Sequence, residues 1–207
     1  MSENLPSDEN SGSLFDRVKG ILLEPGKEWP KIVAENREPK DIALKYVLIL
    51  AAIAPICTFI GFQLFGFGVL GVRISGLTGI FLRIAIAAFV INIAMVFVLG
   101  FAAKFASKQF GGKDDFPAGF RLAAYSMTAA WVAGIFTLLP QISFLQIVGL
   151  YSIYLLYLGA APVMGVPKEK AAPFTGVVFV IGIVAGVILY TIMQRLAYPS
   201  FGNLLLG

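Results

Sequence analysis

The chain opens with about 40 residues in which polar and apolar positions are mixed, then passes into long apolar stretches interrupted only by isolated basic residues. The uncharged runs are 46–72, 84–103, 122–167 and 171–194. A helix needs about 20 mostly apolar residues to cross ~30 Å of hydrocarbon. The run from Leu122 to Pro167 must therefore hold two crossings, and Leu139-Pro140-Gln141 stands where they should turn. Five spans are predicted, at roughly 42–66, 80–104, 118–138, 141–164 and 174–195. Continuous apolar runs favour helices, because barrel strands alternate over about 10 residues. The expected fold is all-α, a polytopic bundle of five transmembrane helices with an N-terminal amphipathic interfacial helix.

Ahead of the spans, residues 1–12 are short, polar and unable to bury a core, so they are predicted to be a disordered tail. Residues 13–41 form a cytoplasmic amphipathic and juxtamembrane segment, and 42–207 the five-span domain. Ser13 followed by Asp16 has capping-box spacing, after which Leu14, Phe15, Val18, Ile21 and Leu22 share one helical face opposite Asp16, Arg17 and Lys19. Such a helix is expected on the inner leaflet or the bundle base, with Phe15, Val18, Leu22 and Trp29 as its membrane-surface residues. Glu24-Pro25-Gly26 should end it. Trp29 suits the headgroup layer and packing beneath the bundle equally well. No apolar h-region precedes the first span, so that span is predicted to be the insertion signal.

Composition agrees: 58% of residues are hydrophobic, 14% are charged, and mean hydropathy is +0.84. Charge placement adds direction. No acidic residue falls between Asp41 and Asp114, and only Glu169 follows Asp115. Assigned to alternate sides, thirteen basic residues lie on the N-terminal side and three, Arg73, Arg83 and Arg195, on the other. Cytoplasmic segments carry the Lys/Arg excess, so a cytoplasmic N-terminus and an extracytoplasmic C-terminus are predicted. The net charge of +4 then reflects the anionic inner leaflet of the lipid bilayer, not a nucleic-acid surface.

Candidate chemistry is sparse. The chain has no histidine and one cysteine, Cys57, which removes imidazole bases, His ligands, disulfides and Cys-His nucleophiles. No carboxylate lies in a span, so the usual proton-coupling group of transporters is missing. Asp114 and Asp115, after Gly111-Gly112 and before Pro117, read as a turn and the start of a helix. Gly66 to Gly71 matches G-x-G-x-x-G without the strand or acidic partner a nucleotide site needs; the glycine density there predicts an irregular loop at the outer surface. These features point to a non-enzymatic protein without cofactor or metal.

Three polar or small-residue sets remain. Asn92, Tyr151, Tyr154 and Tyr157 form a candidate intramembrane cluster, with Asn92, Tyr151 and Tyr154 expected to face the interior and bond to other helices. Gln63, Arg73, Arg83, Gln146 and Gln194 form a candidate outer-leaflet set that could line a shallow cavity, although snorkelling accounts for much of it. Gly182 and Gly186 have the small-xxx-small spacing of helix packing, which serves internal packing or a homo-oligomer.

Arg17-Val18-Lys19, Ile21-Leu22-Leu23, Pro25 and Lys27-Glu28-Trp29, followed by five spans, resemble the bacterial inner-membrane branch of the Yip (Ypt/Rab-interacting protein) family. Ala124-Tyr125, Trp131, Leu139-Pro140, the segment Leu150 to Gly159, Pro167 and Lys170-Ala171 extend the resemblance over nearly the whole chain after residue 13. It implies a five-helix bundle in the inner membrane with a cytoplasmic N-terminus. The acidic, tyrosine-containing motif that eukaryotic relatives carry before their spans is absent here, so Rab binding is not carried over. The expected function is organising the membrane or recruiting a protein partner at the cytoplasmic face, through the N-terminal helix and the 104–121 loop. The alternative is a carrier, channel or scramblase for a small or lipidic molecule.

Overall fold

The computed structural model describes residues 13–65, 67–69, 72–74 and 78–197; the tail expected at 1–12 lies outside them. The first helix, α1 (Leu14–Leu23), starts at the predicted capping box: Ser13 Oγ accepts from the Asp16 N–H at 3.2 Å and the Asp16 carboxylate accepts from the Ser13 N–H at 3.2 Å. Pro25 does not open a loop. It sits at the first position of a second helix, α2 (Pro25–Glu35), where its missing N–H has no intrahelical partner to lose. Asn36 ends α2 in the left-handed conformation, φ 44°, which Asn tolerates better than most residues.

Four described helices are long and apolar enough to cross a membrane: Pro39–Phe65, Thr78–Gln109, Pro140–Met164 and Lys168–Gln194. The first, α3, contains a π-helical turn at Ala43–Val47. After it, Phe67–Val69 (β1) pairs antiparallel with Val72–Ile74 (β2), Gly68 opposite Arg73. The segment predicted to be an irregular loop is thus a small hairpin at its described positions, where β-branched Val69, Val72 and Ile74 outweigh glycine density. Gly66, Gly71 and Gly76 lie outside the described residues. The helix α4 (Thr78–Gln109) has 32 residues, about 48 Å of rise, and so overshoots the hydrocarbon thickness.

The predicted third span, 118–138, is not one helix. It divides into α5 (Phe116–Ser126), α6 (Thr128–Ala133) and a 3-10 segment, Gly134–Leu138. The chain turns at Leu139, as expected, into a second 3-10 segment, Pro140–Leu150, continued by α7 (Tyr151–Met164). A last helix, α8 (Ala171–Ala197), follows a short 3-10 turn at Lys168–Lys170.

The broken third segment is the core of the bundle. Every residue from Ala118 to Ser126 is buried, enclosed by α4 and α7, with α8 against α4 and α7 and the end of α3 against Gly134–Leu138. Residues of α3, α4 and α8 such as Ile56, Ile86, Phe105, Val180 and Val187 stay exposed, as a lipid-facing surface requires. Close approach uses glycine. A Cβ on Gly100 would lie 3.0 Å from the Phe120 Cα, and one on Gly61 would lie 2.6 Å from the Leu138 carbonyl oxygen.

Candidate functional site

The N-terminal helices carry the most organised polar chemistry among the described residues. Arg17 was expected on the polar face of α1, yet it is 6% exposed. Its guanidinium pairs with Glu28 at 2.5 Å and with Glu35, both on α2, so α2 folds back alongside α1. Glu28 and Glu35 are seven residues apart, two turns along one helix face. Glu28 also accepts from Lys31 at 3.1 Å, and Glu35 pairs with Arg37 at 2.9 Å. Gly20 permits this, since a Cβ there would sit 2.6 Å from the Glu28 carboxyl carbon.

Beneath the ion cluster lies an aromatic floor. Arg17 sits over the Tyr125 ring at 5.9 Å, and the Trp29 ring meets Tyr125 edge-on at 6.4 Å. The Tyr46 ring lies 4.7 Å from that of Tyr125, and its hydroxyl is 2.7 Å from the Thr128 hydroxyl. Trp29 is 1% exposed and crosses bare backbone at Gly159, where a Cβ would lie 2.7 Å from the indole. Of the two places open to Trp29, the structure takes packing against the bundle. Val18 and Leu22 are partly buried against the same core, whereas Phe15 is 71% exposed and Leu23 70%. Only Phe15 of the four surface candidates is free to meet a membrane or a partner.

Arg121 ties the end of α2 to α5. Its Nη2 donates to Asn36 Oδ1 at 2.7 Å and to the Arg37 carbonyl at 3.0 Å, placing a buried cation at the negative end of a helix. A cleft of about 640 Å³ runs between α1 and α2, with Asp16, Lys19, Glu24 and Lys31 around the Arg17 cluster. At its edge Lys27 bonds Glu24 at 2.8 Å; that hydrogen bond holds the Glu24 carboxyl below its ordinary value and the Lys27 ammonium above its own. Both groups are exposed, so the pair adds little stability.

The segment 104–121, expected as a loop, is the end of α4, a short turn and the start of α5, and it is equally ordered. Asp115 caps α5 by accepting from the Ala118 N–H at 3.1 Å. Asp114 pairs with Lys104 at 3.6 Å and Lys108 at 3.5 Å. The Lys113 N–H donates to the Met164 carbonyl at 2.7 Å, joining the loop to the end of α7. The acidic pair is structural in geometry, and no cluster suited to a metal occurs among the described residues.

The intramembrane tyrosine and asparagine set is not brought together. Tyr151 alone of the three expected to bond across helices does so, donating to the Leu22 carbonyl at 3.2 Å. The Asn92 amide turns back to Ala88 on its own helix at 3.0 Å, the local option that a mid-helix amide has when no neighbouring acceptor is in reach. Tyr154 and Tyr157 are 48% and 40% exposed; the Tyr154 ring lies 5.4 Å from that of Tyr151, tilted by 39°. A spacing of three rotates successive residues by about 300°, so the stripe drifts from the interior to the outside.

Of the outer-leaflet candidates, Gln63 bonds across to the next helix, and Gln146 and Gln194 bond within their own segments. Gln63 bonds Thr78 at 3.3 Å, Gln146 donates to the Ser143 carbonyl at 3.1 Å, and Gln194 donates to the Tyr190 hydroxyl at 2.8 Å. Arg73 stands in the hairpin and Arg83 in the second turn of α4. Gly182 packs against Leu99, 2.9 Å from a Cβ placed there, but nothing lies within 4 Å of one at Gly186. Sequence reading missed the pairing of Arg17 with Glu28 and Glu35 because Glu24-Pro25-Gly26 was read as the end of the helix, with no second helix expected after it. The signal was present in the seven-residue spacing of two glutamates near one arginine.

A Yip1 domain profile matches residues 19–189. The inner membrane protein YohC of Escherichia coli strain K12 is 28% identical over 177 residues, which cover 82% of this chain and 89% of that protein. YohC of E. coli O6:H1 strain CFT073 matches to the same extent. No solved structure matches the chain.

Proposed function

Because the chain belongs to the Yip1 family, we propose that it is a non-enzymatic inner-membrane protein that organises the membrane or recruits partners from its cytoplasmic face. In this reading the chain crosses five times, with the broken segment 116–138 as the third crossing, the N-terminus in the cytoplasm and the C-terminus outside. The inner-membrane relative and the four apolar helices support a multi-pass location. The thirteen-to-three basic asymmetry supports the orientation.

One observation carries the functional part: the Arg17 cluster fixes α1 against α2, and the fixed pair leaves Phe15, Lys19 and Leu23 exposed at four-residue spacing. An apolar and basic row on a rigid support suits both an anionic leaflet and a protein contact. The carrier alternative has less support, since its candidate polar residues do not converge: Asn92 and Gln146 bond within their own segments, and Tyr154 and Tyr157 face outward. A photoreactive residue in place of Phe15, with a second at Lys108, tests the reading in native membranes. Discrete, reproducible protein adducts at either position are expected. Adducts to lipid alone at both would remove the partner and leave membrane organisation.

A further inference from the structure

The contacts that fasten the N-terminal helices to the bundle also fix their depth. The third segment runs away from the N-terminal side: Thr128 stands beside Tyr46 near the start of the uncharged run of α3, and Leu138 beside Gly61 near the end of α3. Along this segment the α1–α2 hairpin keeps a steady register. Asn36 meets Arg121, Trp29 meets Tyr125, and Leu22 lines one groove with Ala129, Val132 and Ala133. A second track, on α7, agrees. There Trp29 crosses Gly159, and the Leu22 carbonyl accepts from the Tyr151 hydroxyl, eight residues and ~12 Å further along. The hairpin therefore stands along the bundle axis, its turn at residues 23–26 pointing towards the middle of the bundle.

Charge marks where the hydrocarbon begins. On α3 the last basic residue is Lys45, next to Tyr46, whose hydroxyl is at Thr128. On α4 the uncharged run ends at Lys104, whose backbone nitrogen lies 3.2 Å from a Cβ placed on Gly119. Leu22, at the level of residues 129–133, is beyond both marks, by ~2–8 Å on α3 and ~15–21 Å on α4. The surface there is one that lipid covers. Ile135 and Val148, on the same groove of about 320 Å³, are exposed apolar side chains, as is Leu23 beside it. The charges at the turn suit this depth as well: Glu24 and Lys27 bond at 2.8 Å and together carry no net charge, and a lysine stem reaches up towards the phosphates.

We propose that the α1–α2 hairpin enters the leaflet on its own side of the membrane as a wedge, with Leu23 among the upper acyl chains and Phe15 ~12 Å higher, above them. The partner of the turn is phospholipid, and only the Phe15 end is left for a soluble protein. The wedge rests on the reading above for the third crossing, and not on partner recruitment.

Depth is read from nitroxide labels on single cysteines in the full-length Cys57→Ala chain, in nanodiscs of phosphatidylglycerol and phosphatidylcholine, by collision with oxygen and with a water-soluble nickel complex. The labelled variants are Phe15→Cys, Leu23→Cys, Gly26→Cys and Ile135→Cys. Phe15, Leu23 and Ile135 are exposed, and a Cβ on Gly26 meets nothing within 4 Å, so the labels leave the packing intact. Both turn positions are expected to meet oxygen and be shielded from nickel, with Leu23 ~12 Å deeper than Phe15. Equal depth at Phe15 and Leu23, as in a helix lying flat on the leaflet, overturns the wedge. Nickel access at both turn positions overturns it too, as does shielding from both reagents, which would mean that protein covers the turn. Ile135 separates the two readings. If its label is in lipid while the turn is in water, the wedge alone fails; if its label is also in water, the third crossing fails with it.

Discussion

At the scale of single residues, the ion cluster under α1 decides most. Arg17 and Glu28 are both nearly buried, and removing one partner of such a pair leaves the other charge unpaired at a cost of about 3–5 kcal/mol. Arg17→Ala is therefore expected to lower stability by roughly that amount in thermal unfolding in detergent; a loss below about 1 kcal/mol, the scale of a surface pair, would mean that the cluster is solvated. The double variant Arg17→Met with Glu28→Leu should lose less than Arg17→Ala, because apolar replacements leave no buried charge from that pair. Gly159 offers a second handle. Any side chain there meets Trp29 and Leu122, so Gly159→Val should displace the indole, seen as a red shift of tryptophan fluorescence, while an unshifted spectrum would place Trp29 elsewhere.

At the scale of elements, hydrophobic run length located the four long apolar helices and the turn at Leu139-Pro140, since both follow from bilayer thickness and turn chemistry. The division of 116–138 was not legible. Ser126, Met127 and Thr128 contain no proline or glycine, and the break at Met127 is supported by Ser152, a residue 22 positions from Ala130. Such support is tertiary and leaves no local signal. The α2 helix was hidden for the opposite reason: Pro25 is a strong local signal, and at the first helical position the rule reverses. Burial of Arg17 was likewise unreadable from the face of α1 alone, because the carboxylates that receive it lie on another helix. Ser152→Ala should then cost about 1–3 kcal/mol, the price of a buried N–H left without its acceptor, measured by thermal unfolding. No loss would show that Ala130 finds another acceptor.

For the whole molecule, α5 and α6 form the axis around which apolar helices present a lipid surface, while the N-terminal pair is fastened at Tyr125, Trp29 and Arg121. This separates a bilayer-facing exterior from an ordered polar end. On the orientation proposed from charge, a reporter fused after Gly207 should be active only when it functions outside the cytoplasm, and one inserted at Lys108 only when it functions inside. The opposite pattern would invert the topology. The attachment of the N-terminal helices to the bundle is tested most directly by hydrogen exchange on the full chain in lipid vesicles. If α1 and α2 are docked, the amides of Trp29 to Glu35 exchange slowly, within about tenfold of those in α5, and Arg17→Ala accelerates them while leaving α5 protected. Fast exchange through residues 29–35 in the unmodified protein, beside a protected α5, would show that the two helices are not docked.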